Sequence, residues 1–340
     1  MVDKIQQRFC LQNMKIIYLA ILTLAIVLLS GCIQQEKGST VVPNTTNPMT
    51  SNDEIKGLPK QTNAAQPPPS SQIDYSHEYP ASAANVNGFE MKKTGSGFIV
   101  YYHPGDETNA NKVLAVLEQG GLNLYKKYLG FEPKDMPVYM AASVDEYVKI
   151  ADFPGGKENV AVGDGSAPNG KIYLYKPFGE TIAGKTGGVI IHEGVHAAAY
   201  RFFGQDKIRY LPGFLNEGMA HYLEYIFKAG SGFDPLDLIY HSDLLINGVK
   251  TGNPKLLGLE ELAQKCDGYI SDDILNFLCR GQGTYTVWYI KETYGEEVLG
   301  KFLMNLKQTQ NWQNALNNAT GKTTSQLEQE IQDNLKSRVG

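Results

Sequence analysis

The sequence predicts an α+β domain in which a small mixed sheet with a few helices comes first and a mainly helical part follows. Two observations carry that expectation. The runs SGFIVYYH, MPVYMA and GKIYLYKP, rich in aromatic and β-branched residues, fall between residues 96 and 177 and are interleaved with helical patterns. After Lys185 the apolar spacing becomes helical almost to the end of the chain. A hydrophobic content of 42% is enough for a substantial core, and no internal repeat is visible.

Taken in order, the folded part is expected from about residue 88 to 340, with its sheet-containing portion over 88–183 and its helical portion over 184–340. SGFIVYYH alternates as a strand does. NANKVLAVLEQGGLNLYKKYLG sets Val113, Leu114, Leu117, Leu122 and Leu124 at roughly helical spacing and ends in glycine. MPVYMA and GKIYLYKP read as further strands, and SVDEYVKIA reads as a helix with Ser143 as N-cap and Glu146 three positions later. The Gly- and Asn-rich stretch from Pro154 to Gly170 reads as turns around one more strand. Helices are expected at about 187–203, 214–229, 258–265, 284–295, 297–307, 310–318 and 324–336.

Ahead of the domain, the chain has a different character. From Met14 it carries one lysine, runs apolar from Ile16 to Leu29, and stops at Ser30-Gly31-Cys32, the pattern of a signal peptide over residues 1–31. The apolar run is shorter than the roughly 20 residues that span a bilayer core. Met1 to Asn13 is either a long n-region or an over-extended start, with Met14 the alternative initiator. Its LLSGC ending resembles a lipobox, the motif after which a prokaryotic lipoprotein precursor is cut and the new N-terminal cysteine acylated. That resemblance implies a protein held to the membrane by lipid on Cys32 and facing away from the cytoplasm. From Cys32 to about Asn87 the sequence is dominated by Gln, Asn, Ser, Thr, Pro and Ala, a composition that buries too little apolar surface to offset its ordering and reads as a flexible tether.

Charge and cysteines narrow the function classes. A net charge of -5 with scattered Lys and Arg gives no basic face for a polyanion, which excludes nucleic acid as the expected partner. Nothing in the sequence indicates oligomerisation. GKTGG, at 184–188, lacks the leading glycine spacing of a P-loop. With Cys10 ahead of the proposed cut and Cys32 acylated, Cys266 and Cys279 are the thiols of the mature domain. An isolated pair in an oxidising compartment reads as a disulfide, with two unrelated buried cysteines as the alternative.

The chemistry lies in GVIIHEGVHAAAYRFFG, residues 188–204. On a helix His192 and His196 project from one face a turn apart and offer both imidazoles to one cation. Glu193, rotated about 100° from His192, reaches toward water at that cation without being a ligand. Two histidines at this spacing also occur as packed core residues. What points to a metal is LPGFLNEGMAHYLEYIF, residues 211–227, where Glu217, His221 and Glu224 fall on one stripe of an otherwise apolar helix. Glu217 completes a His2Glu set of the catalytic zinc kind. Glu224 is a carboxylate suited to receive the other N–H of a ligating histidine. His221 either lies behind the ligands or lines the cleft.

HEGVH followed by NEGMAHYLE resembles the gluzincin metallopeptidases, the peptidase MA-like group related to thermolysin and to the aminopeptidases of the leukotriene hydrolase kind. The resemblance is clear from His192 to Tyr225 and looser over the rest of 88–336. It implies a thermolysin-like fold, one Zn2+ held by His192, His196 and Glu217, Glu193 as general base, and Glu224 behind the ligands. TYTVWYIKETYGEEVLGKFL resembles the helix that follows the metal site in that group, where a tyrosine commonly faces the scissile carbonyl. An ungapped match places Arg280 at that position with Tyr285 nearby, and either could donate to an oxyanion. Trp288 and Tyr289 read as packing. The aminopeptidases' GAMEN-like strand is replaced here by VGDGSAPNGKIYLY, with no acid evidently poised for a substrate amino group, which favours cleavage inside a peptide or protein substrate. Two other classes stay open: a peptidase-fold binding or envelope-assembly module without turnover, and a zinc hydrolase of non-peptide amides.

Overall fold

The structure, a computed structural model, describes residues 70–153, 156–157, 160, 164–178, 187–230, 232–238, 242–267, 270 and 272–340. The signal segment, Cys32, most of the expected tether and most of GKTGG lie outside them. Among the described residues no helix is long and apolar enough to cross a membrane.

The sheet has six strands in the order β1-β2-β3-β4-β6-β5. Strands β1 (Ala81–Val86), β2 (Phe89–Gly95) and β3 (Phe98–Tyr102) form an antiparallel meander. Strands β4 (Met136–Ala141) and β6 (Ile172–Tyr175) continue it in parallel, and the short β5 (Gly165–Ser166) closes the edge antiparallel to β6. Parallel neighbours require a crossover. Between β3 and β4 it is α1 (Glu107–Ala115), extended through Leu129 with wide π-helical turns at Val116–Gly121 and Tyr125–Leu129. After β4 comes α2 (Val144–Ala151), whose N-cap Ser143 accepts the backbone N–H of Glu146 at 3.1 Å, as the sequence predicts.

Side chains alternate across the sheet, so each face has its own core. Phe98, Val100, Tyr102, Met136, Val138, Met140, Ile172 and Leu174 join the main core with α1 and the later helices. On the other face Tyr139, Ala141, Tyr173 and Tyr175 pack under Tyr147 and Ala151 of α2.

The fold begins before residue 88, which corrects the expected end of the tether. Strand β1 occupies 81–86, and Ile73 and Tyr79 are already core residues. The segment ahead of β1 is held by a paired contact, Asp74 N–H to Gln119 Oε1 at 2.7 Å and Gln119 Nε2 to Asp74 O at 2.8 Å. An edge strand with an exposed face needs few apolar residues, so ASAANV carries no strand signal in its composition.

The helical part consists of α3 (Gly188–Phe203), α4 (Gly213–Ala229), α5 (Pro235–Leu238), α6 (Ser242–Thr251), α7 (Leu259–Lys265), α8 (Asp273–Tyr294), α9 (Val298–Thr309), α10 (Trp312–Thr320) and α11 (Thr324–Val339). The expected helices form, while α5 and α6 are additions. Helix α8 starts at Asp273, capped by Asp272 accepting the Leu275 N–H at 2.7 Å, and not near residue 284. The glycines at 281 and 283 read as a break, yet they lie inside the helix.

Candidate metal centre

Helix α3 is apolar nearly all round and buries Ile190, Ile191, Val195 and Ala197–Ala199 against the sheet and α4. His192 and His196 face inward, where α4 presents Glu217, His221 and Glu224 to them. His192 Nε2 lies 3.1 Å from His196 Nε2 and 3.5 Å from Glu217 Oε2, and His196 Nε2 lies 3.4 Å from Glu217 Oε1. Behind them Glu224 Oε2 sits 3.4 Å from His192 Nδ1 and 3.1 Å from His221 Nδ1, while Lys228 Nζ bonds its other oxygen. Thus the structure brings together His192, His196, Glu217, His221 and Glu224. Lys228 escaped the sequence reasoning although its i,i+4 spacing from Glu224 was readable.

Position along α4 is set by backbone contact with α8. A Cβ on Gly218 would stand 2.4 Å from Gly283 O, and one on Gly283 would stand 2.2 Å from Phe214 O, so only glycines allow this crossing. Glu217 is the residue before that contact. Cys266 and Cys279 form a disulfide with Cα atoms 5.5 Å apart, and the Cys266 carbonyl abuts Gly213 at the start of α4. The bond thereby ties the C-terminal end of α7 to the first turns of α8, beside the start of α4.

Burial opposes charge throughout the cluster, and the close partners decide the outcome. For His192, Glu217 and Glu224 outweigh burial and raise its pKa, while for His196 burial prevails and lowers it. Glu217 is driven well below the usual carboxylate range because His196 and His192 outweigh its burial; Glu224 is driven down likewise by His192, His221 and Lys228.

Glu193 is treated differently. Burial raises its pKa to about 7 against the pull of His192 and Arg280. It is only 7% exposed. Edge strand β5 presses on it, since a Cβ on Gly165 would stand 2.4 Å from Glu193 Cγ. Two buried tyrosines that the sequence did not single out, Tyr125 and Tyr147, also feel its charge. Tyr125 Oη donates to Ile191 O at 3.0 Å and so braces α3 beside the base.

Of the two oxyanion candidates, Arg280 is the one within electrostatic reach of Glu193, and it is exposed. Tyr285 is not at the site. It is 1% exposed, donates to Asn334 Oδ1 of α11 at 2.7 Å, and packs on Trp288. Five residues on a helix turn about 140° past a full circle, so Arg280 and Tyr285 face different neighbours.

The donor set fits zinc. Ligands bonded at 2.0–2.1 Å in a tetrahedron stand about 3.3–3.4 Å apart; the two imidazole Nε2 atoms are 3.1 Å apart, with Glu217 Oε2 3.5 Å from His192 and Glu217 Oε1 3.4 Å from His196. Glu217 Oε2, in the ligand set, is buried without a hydrogen-bond partner, unmet polarity that a cation held there relieves. His192, His196 and Glu217 are thus a candidate metal cluster, zincin-like in arrangement, on helices packed against an α+β core. The chain matches no protein-family model and no curated protein.

Proposed function

We propose that this protein is a zinc-dependent peptidase of the gluzincin kind, cleaving within polypeptide chains and held outside the cytoplasm by lipid on Cys32. The observation that carries the hydrolytic reading is Glu193: a buried carboxyl beside three converging ligands, with no ligand role of its own. His192, His196 and Glu217 would hold the zinc, which would polarise a carbonyl and lower the pKa of a water beside it. Glu193 accepts the proton from that water and returns it to the departing amine. Arg280 contributes positive charge near the reacting carbonyl oxygen. Among the described residues strand β5 ends the sheet order, and it lies against Glu193, where an extended substrate backbone could pair with it. That supports internal cleavage of a peptide or protein.

The test is digestion of an unfolded protein by the zinc-loaded full chain in detergent, with products read by mass spectrometry. Internal fragments that vanish with Glu193→Gln are expected. A zinc-bound chain that leaves the protein intact would favour the binding or assembly module, or an amide outside peptides.

A further inference from the structure

His103, the residue after β3, stands outside the metal cluster, and acids from two different elements hold its ring at both nitrogens. Nδ1 is 2.8 Å from Glu90 Oε2 of β2, and Nε2 is 2.9 and 3.1 Å from the two oxygens of Glu146 in the first turn of α2. Phe89 stacks on the ring with centres 4.8 Å apart and leans in turn on Tyr139 of the second core. The Glu146 side is fixed, because its Oε2 also accepts the Ala142 N–H at 2.8 Å and its own N–H donates to Ser143 Oγ. The Glu90 side chain is 54% exposed and free to turn to water.

A carboxylate only accepts, so an imidazole with a carboxylate at each nitrogen donates from both, which is the imidazolium form. We infer that His103 is a proton-operated clamp, tying β2 to the start of α2 while it is imidazolium and letting go of Glu90 when it loses a proton. Glu146 and Glu90 are the charged groups that act on it. Asp145, next to Glu146 on α2, faces Lys157 at 3.6 Å instead, and Glu107 of α1 accepts the Gly105 N–H at 3.0 Å. Burial of the ring disfavours its charge, and the bonds to Glu146 and Glu90 outweigh that, so its pKa is raised. Neutral imidazole keeps one N–H. It stays with the fixed Glu146, and the lone pair left on Nδ1 repels Glu90. The clamp is therefore complete from above the carboxylate range up to the ordinary histidine value of about 6.5, and it opens as pH rises through the raised folded value. It sits at the edge of the second core, where α2 supplies Tyr147 against Tyr139, Tyr173 and Tyr175.

Nitrogen NMR of the imidazoles in the full-length chain in detergent, with His103 assigned by its loss in His103→Gln, reads the ring protons directly. His103 should titrate with a midpoint above about 6.5, and Glu90→Gln should lower that midpoint. In denaturant titrations the parent should exceed Glu90→Gln near about pH 6, and the gap should close by about pH 9. Taking the difference between the two chains cancels the titration of the metal-site histidines, and neither readout needs zinc or peptidase activity. A His103 midpoint at or below about 6.5, a midpoint untouched by Glu90→Gln, or a stability gap that does not change with pH would overturn the inference.

Discussion

Replacing Glu224 by glutamine tests how far the residues behind the ligands govern the site. In the parent its two oxygens serve three cationic or N–H groups: Lys228 on Oε1, and His221 and His192 at 3.1 and 3.4 Å on Oε2. Glutamine keeps one acceptor oxygen. If it faces the imidazoles, the amide NH2 meets the Lys228 ammonium, donor against donor; Lys228, 22% exposed, then turns to solvent. The bonds left to the histidines are neutral, and a charge-assisted bond is about twice as strong as a neutral one. His192 is then less firmly held with Nε2 bare toward Glu217. The expected loss is about 10- to 100-fold in zinc affinity, or about 1.4–2.8 kcal/mol. Stability without metal should change by less, on the order of 1 kcal/mol, because relieving a buried ion pair of its desolvation offsets the lost attraction. Competition against a chromophoric chelator gives the first quantity and a denaturant titration the second. Zinc affinity within twofold of the parent, in a folded variant, would refute the role assigned to Glu224.

Gly218→Ala should destabilise the chain by about 1–3 kcal/mol in denaturant titration and weaken zinc binding, because the new methyl meets backbone on α8; a gain of about 1 kcal/mol, the helix-propensity expectation, would contradict the close crossing. Converting both Cys266 and Cys279 to alanine opens a loop across a sequence separation of 13, which should cost about 3 kcal/mol in chain entropy; an unchanged unfolding midpoint would show that the bond contributes nothing. Cys32→Ser should release the protein from the membrane fraction or block its maturation, whereas full retention with an intact N-terminus would indicate an uncleaved anchor.

Much of the site was legible because its ligands sit at helical spacings on two apolar helices: the pattern alone put His192 and His196 on one face and Glu217, His221 and Glu224 on another. The strand MPVYMA was legible for a similar reason, being buried on both faces. What escaped depended on neighbours far along the chain. The glycines at 281 and 283 resemble a break until α4 is seen lying against them. Tyr285 looked available until α11, some fifty residues on, covered it through Asn334. Strand β1 was invisible because an exposed edge strand is held by backbone pairing with β2 more than by side chains. The pairing of Cys266 with Cys279 was one of two readings that spacing allowed, and only the approach of α7 to α8 selects it.

The central claim is that His192, His196 and Glu217 hold the metal while Glu193 does chemistry beside it. Zinc content and proteolytic rate measured side by side on Glu193→Gln and Glu217→Ala chains test both halves at once. Glu193→Gln should keep about one zinc per chain and lose cleavage by at least the 10²–10⁴-fold typical of a general base, while Glu217→Ala should lose tight zinc and cleavage together. Parental cleavage by Glu193→Gln, or undiminished zinc binding by Glu217→Ala, would contradict the account.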